Sequence, residues 1–205
     1  MGTASTGVFA CVAAIAIAVL PAIGAAQNAP ANRPELKVGD KWTAERRDAF
    51  TKKLIFSEET VVTSVTPADV KVSINGSPGA MTPDLTGRDG PRLTAEPGYE
   101  LLRFPMEVGK RWDFRTRWQL KQNGAKGGAQ LDVEVKGMES VKVPAGEFDA
   151  YKLEASGFMS ADSGRNWRAT ATYWYAPKAK AIVRFSWADG GNDYVTELVQ
   201  VNLVP

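Results

Sequence analysis

Trp112, Phe114, Thr116 and Trp118 alternate one for one with Asp113, Arg115 and Arg117. Leu131, Val133 and Val135 alternate with Asp132, Glu134 and Lys136 in the same way. A period of two puts the uncharged set on one face of a β-strand and the charged set on the other, and a helix cannot hold that pattern. Pairing Asp113 with Lys136, Arg115 with Glu134 and Arg117 with Asp132 joins opposite charges three times, each pair worth about 0.2–1 kcal/mol. The same register sets Phe114 against Val135 and Trp118 against Leu131. It leaves Gly124-Ala125 as a type II′ turn with glycine first.

The rest of the chain reads the same way. Val141 and Val143 lead into Pro144-Ala145-Gly146, where proline presets a type I turn and glycine supplies the left-handed position after it. The return strand runs over about 147–155. Further strands are predicted over 167–176, 181–188 and 193–203, and in the N-terminal half over 41–50, 54–66 and 69–75. Segment 75–98 holds four prolines and five glycines and predicts a long irregular loop. Val38-Gly39-Asp40-Lys41-Trp42 recurs as Val108-Gly109-Lys110-Arg111-Trp112. The repeat reads either as a duplicated β-meander or as a common way of starting a strand.

Composition removes several chemistries. The 205 residues include no histidine and a single cysteine, Cys11, inside an apolar N-terminal run. Zinc sites, histidine-based triads, thiol nucleophiles and disulfides are therefore excluded from a processed chain. The formal net charge of +2 offers no electrostatic case for nucleic acid. Val8 to Leu20 followed by Pro21 and Gly24-Ala25-Ala26 has the layout of a secretory signal, with cleavage predicted after Ala26. The alternative is an uncleaved N-terminal anchor. Residues 27–35 read as a polar, proline-containing linker and 36–205 as one β domain.

The order Phe104-Pro105-Met106-Glu107-Val108-Gly109-Lys110-Arg111-Trp112, Val141-Lys142-Val143-Pro144-Ala145-Gly146-Glu147-Phe148 and Trp174-Tyr175-Ala176-Pro177 resembles uncharacterised bacterial periplasmic proteins of the TapB-like, domain-of-unknown-function type. The resemblance covers about residues 102–204. It implies an antiparallel, curved open sheet similar in outline to the LolA and LolB lipoprotein carriers. It carries over no catalytic residue. Where the family pattern has a glycine-containing turn after Trp-Tyr-x-Pro, this chain has Lys178-Ala179-Lys180.

Aromatic side chains are the main resource for binding. Trp112, Phe114 and Trp118 form one stripe, Tyr173 and Tyr175 belong to another, and Trp42 opens the first strand. These six are the candidate ligand-binding residues, as a concave apolar surface for a lipid, an acyl chain or a sugar ring. The ordinary use of such residues is core packing. Trp174 lies on the face opposite Tyr173 and Tyr175, so the strand needs cover on both sides. The carboxylate groups Glu58/Glu59, Asp132/Glu134 and Asp189/Asp193 are candidates for acid–base work, with ion pairing or turn formation as the plainer role. Asp189–Asp193 and Asp84–Asp89 hold calcium-type oxygen donors without the spacing of a known loop.

The sequence thus predicts an all-β protein, with room for a minor helix, built on a strongly curved antiparallel sheet of half-barrel form. A closed β-barrel or a sandwich is the alternative. The function expected first is a periplasmic or secreted, non-enzymatic binding or carrier module for an apolar or amphipathic ligand. An envelope scaffold with a protein partner comes second and a carboxylate-dependent hydrolase third. No cofactor or metal is predicted, and no membrane span once the leader is removed.

Overall fold

Alternation becomes strand wherever the sequence shows it. The computed structural model describes residues 30–205, so the predicted signal segment and residues 27–29 lie outside the described residues. The strands are β1 (Lys41–Asp48), β2 (Leu54–Val65), β3 (Val70–Ile74), β4 (Ser77–Met81), β5 (Gly87–Asp89), β6 (Leu93–Tyr99), β7 (Arg111–Leu120), β8 (Lys126–Val143), β9 (Gly146–Ala161), β10 (Asn166–Ala176), β11 (Ala181–Ala188) and β12 (Tyr194–Asn202). One short 3₁₀ turn, Pro177–Ala179, joins β10 to β11.

Each strand pairs antiparallel with its neighbours in sequence, and β1 also pairs with β12, so the meander closes into a barrel. The half-barrel expected first is therefore corrected to the closed form. The reason lies in segment 75–98. Its prolines and glycines predict a loop, yet it supplies β4, β5 and β6, which complete the circuit between β3 and β7. These strands are short, and β5 keeps only two paired positions on each side, with register shifts. Irregular strands of this kind tolerate proline and glycine.

The β7–β8 register differs by four residues from the charge-based expectation. Phe114 faces Leu131, Trp118 faces Gly127 and Asp113 faces Asp132. An even shift keeps every side chain on its expected face. The turn is a longer loop in which the Gly124 and Leu120 amides donate to the Leu120 and Ala125 carbonyls, with Gly124 at φ +71°. Of the three expected ion pairs none is opposite in register; Arg111 instead meets Glu134 at 2.9 Å and Arg117 meets Asp162 at 2.7 Å. The β8–β9 hairpin matches its prediction, with Val143 paired to Gly146 around Pro144-Ala145.

The Val-Gly repeat has a structural counterpart. The Gly39 amide donates to Val62, the Asp40 amide to Lys37 and the Val62 amide to Asp40. The second copy repeats the pattern with Gly109 to Val135, Lys110 to Glu107 and Val135 to Lys110. Both glycines have positive φ, +96° and +86°. Each turn opens a six-strand half of the barrel.

Apolar residues point inward and charged ones outward: Val135, Leu153, Tyr173 and Val183 are fully buried, while Asp113, Arg115, Arg117 and Asp132 are exposed. This polarity is the reverse of a barrel whose outer wall faces lipid. Among the described residues no helix is long and apolar enough to cross a membrane. The outward Trp174 finds its cover locally, with its indole N–H donating to Glu139 at 2.6 Å and the Arg184 guanidinium 5.7 Å from its ring.

Strand alternation sends the turns at 49–53, 75–76, 90–92, 121–125, 162–165 and 189–193 to one end of the barrel and the remaining connections, with both described termini, to the other. That second end is sealed. The β6–β7 connection crosses the inner face, burying Leu102 and Met106. Met106 exchanges two backbone hydrogen bonds with Ala31, and Arg33 meets Asp84 at 2.8 Å. Residues 30–35, predicted as a linker, are thus laid down on the barrel. The β8–β9 tip closes the same end where the Ala145 amide donates to Leu198.

Candidate functional site

The six sequence-predicted aromatics do not form one surface. Trp42 packs with Val62, Val183 and Leu198, whereas Trp112, Phe114, Tyr173 and Tyr175 belong to a second cluster that Trp118 borders. Five of the six are buried, at most 8% exposed, and Trp118 is half-buried. Their polar atoms are mostly held by the chain itself. The Trp42 indole donates to the Ala179 carbonyl at 2.7 Å and the Trp112 indole to Glu100 at 2.9 Å. The Tyr173 hydroxyl donates to Leu101 at 2.6 Å and the Trp118 indole to Gly128 at 3.1 Å. Phe104, carried in by the β6–β7 connection, meets the Tyr175 ring edge-on at 5.3 Å between centroids. The inner face near the sealed end is filled by the protein's own segment.

The opposite end is different. Phe56, Trp118, Trp167, Phe185, Trp187 and Tyr194 all sit on the inner wall there and keep partial exposure. Rings pass from the interior toward this rim: Tyr173 to Phe185 at 5.7 Å, Phe185 to Trp187 at 6.3 Å, and Trp187 to Tyr194 at 6.5 Å. Trp187 and Tyr194 face each other across β11 and β12. Offset and tilted rings at these distances form a continuous apolar surface. Two arginines join it. Arg92 lies 3.4 Å from the Phe56 centroid and Arg46 lies 3.8 Å from that of Tyr194. Glu58 pairs with Arg92 at 2.6 Å. Exposed apolar residues, Phe50 at 79%, Leu54 and Ile55, surround the adjoining β1–β2 turn.

The barrel is similar to three solved structures. One is a Bacteroides fragilis protein described as exported and of YmcC-like fold, with a TM-score of 0.55 and 16% identity over 85% of this chain and 100% of that one. The fold is YmcC-like. A Parabacteroides distasonis protein described as a lipoprotein matches over the same shares at TM-score 0.54 and 13% identity. The Escherichia coli hypothetical lipoprotein YmcC matches at TM-score 0.48 and 11% identity, over 81% of this chain and 85% of that one. No protein-family model and no curated protein matches the chain.

The carboxylates of this YmcC-like barrel are engaged or exposed. Glu58 and Glu59 point to opposite faces, as their adjacency predicts, and pair with Arg92 and Lys41. Asp189 accepts the Gly191 and Asn192 amides at 3.0 and 2.7 Å, a turn role. Asp84 and Asp89 pair with Arg33 and Lys121. Asp113, Asp132, Glu134 and Glu154 line a shallow outer groove of about 620 Å³. There the hydrogen bond from Arg111, with a second from Lys136, holds the Glu134 carboxyl below its ordinary value. Asp113 and Asp132 face one another on the exposed side of β7 and β8. A cleft of about 650 Å³ at the sealed end has its carboxylates, Asp84 and Glu100, paired with Arg33 and Arg103. Among the described residues no three acidic side chains gather as a metal site.

Sequence reasoning missed Arg46, Phe56 and Tyr194. The signal was present: alternation from Trp42 through Ala44 puts Arg46 on the apolar face of β1, where a charge is out of place.

Proposed function

We propose that the chain is an exported, non-enzymatic envelope protein that receives an apolar or amphipathic ligand at the open end of its barrel. The observation that carries this reading is the contrast between the two ends. One is plugged by Leu102, Phe104 and Met106, while the other keeps a wall of half-buried rings from Phe185 to Tyr194 without a covering segment among the described residues. Large partly exposed apolar surface of this kind marks a place of binding. Export is supported by the leader pattern and agrees with the descriptions of the structural neighbours.

A scaffold that recruits a partner strand has less support, because every strand of the barrel already has two neighbours. The exposed Phe50, Leu54 and Ile55 keep a protein-docking form of that reading available.

The test is native mass spectrometry of protein purified from its own envelope, followed by organic extraction. The expected result is a bound apolar species that is lost in Trp187→Ala and retained in Trp42→Phe. A bare chain mass with an empty extract counts against a carried ligand and turns attention to protein partners of the Phe50 turn.

A further inference from the structure

We propose that the open end selects a ligand with an oxyanion head group, carboxylate or phosphate, which the guanidinium of Arg46 receives. This rests on the reading of that end as the ligand entrance. Arg46 lies opposite Thr196 of β12 and Phe56 of β2, so its side chain enters the lumen. Its Nε donates to the Thr196 hydroxyl at 3.1 Å, and its Cζ stands 3.8 Å from the Tyr194 centroid and 4.7 Å from that of Phe56. A guanidinium has five N–H donors, and neither Nη of Arg46 has a hydrogen-bond partner among the described residues.

The other arginines show how unusual this is. Arg33, Arg47, Arg92, Arg103, Arg111, Arg117 and Arg184 each have a carboxylate partner. Arg88, Arg115, Arg165 and Arg168 have none and are exposed. Among the described residues Arg46 alone is a half-buried guanidinium without a carboxylate. The nearby Glu58 is taken by Arg92, so the trio of Arg46, Arg92 and Glu58 retains one positive charge. Burial pushes the Arg46 guanidinium down from its ordinary value, Tyr194 and Glu58 act the other way, and Arg92 adds to the lowering. An arginine nevertheless stays charged at working pH.

Contact with two rings orients this cation but does not use its outward hydrogens. A carboxylate or phosphate fits that fork with two parallel hydrogen bonds. The rings of Phe185, Trp187 and Tyr194 then lie beside the apolar body of the same ligand. An amphiphile fits both parts at once, whereas a neutral lipid leaves the charge unanswered.

The experiment compares dodecanoate, dodecyl phosphate and dodecanol, titrated against the purified full chain and against Arg46→Met and Arg46→Lys. Thermal melts first establish that the variants fold. One or both anions should bind the parent roughly 10- to 100-fold tighter than the alcohol. Arg46→Met should remove that preference and leave dodecanol binding unchanged, and Arg46→Lys should keep part of it. Equal affinity for all three in parent and Arg46→Met overturns the oxyanion assignment and leaves the open-end reading standing. No binding of any of them to the folded parent overturns both.

Discussion

The indole of Trp118 lies directly against the backbone of Gly127, so closely that a Cβ on that glycine would overlap it and the Ser160 carbonyl. This contact favours the observed β7–β8 register. Trp118 needs a residue without a side chain opposite, and among the displacements from the charge-matched alignment that keep every side chain on its face, four residues is the smallest that provides one. Gly127→Ala should therefore destabilise the barrel by about 1–3 kcal/mol. Urea melts should show the loss as a lower midpoint; an unchanged midpoint would remove this account of the register.

Asp40 is fully buried and accepts three hydrogen bonds, from the Lys37 amide at 2.9 Å, the Lys180 ammonium at 2.9 Å and the Val204 amide at 2.8 Å. Burial alone raises the carboxyl, but these bonds and the Lys180 charge outweigh it and hold Asp40 below its ordinary 3.8. A depressed carboxyl contributes its full stability above the unfolded value of 3.8 and loses it as pH falls through the lower folded value. Asp40→Asn should cost about 2–4 kcal/mol near neutrality. The gap between the two proteins should narrow as melts are repeated from about pH 5 to about pH 2. A gap that stays constant over that range would show that the charge is not what Asp40 contributes.

Two buried tyrosines on one strand should answer differently to loss of the hydroxyl. Tyr173 donates to Leu101, so Tyr173→Phe leaves that carbonyl unpaired and should cost about 1–3 kcal/mol. The Tyr175 hydroxyl is buried without a hydrogen-bond partner among the described residues. Tyr175→Phe should accordingly be neutral or stabilising by about 1 kcal/mol. Chemical denaturation of the pair gives the comparison, and equal losses would contradict it.

Tryptophan fluorescence locates the ligand. Trp187 stands at the rim and Trp42 in the sealed half of the lumen. If dodecanoate enters where proposed, Trp187→Phe should abolish most of the emission change on titration, and Trp42→Phe should leave it intact. The reverse pattern would place the ligand in the sealed half.

Strand positions were legible because alternation is a local signal. The segments predicted over 54–66, 167–176 and 181–188 are found at Leu54–Val65, Asn166–Ala176 and Ala181–Ala188. Register was not legible, because exposed charge pairs are weak and a single tryptophan–glycine fit outweighs them. Closure was hidden as well. Pro78 and Gly79 lie in β4 and Pro97 and Gly98 in β6, where partner strands override local preference. Of the candidate aromatics, Trp118 lies toward the end that holds Trp187 and Tyr194, while Trp42, Trp112 and Tyr175 serve the sealed one. Alternation says which face a ring takes, but not whether a distant segment such as 100–106 will cover it.

The sealed end also gathers both ends of the described chain: Ala31 is bonded to Met106, and the Lys37 ammonium donates to the Pro205 carbonyl at 2.6 Å. A tag or surface linker joined at Ala31 or at Pro205 therefore starts from the far side of the molecule from Arg46 and Trp187. A protein immobilised through either end of the described chain presents its proposed entrance to the surrounding solution.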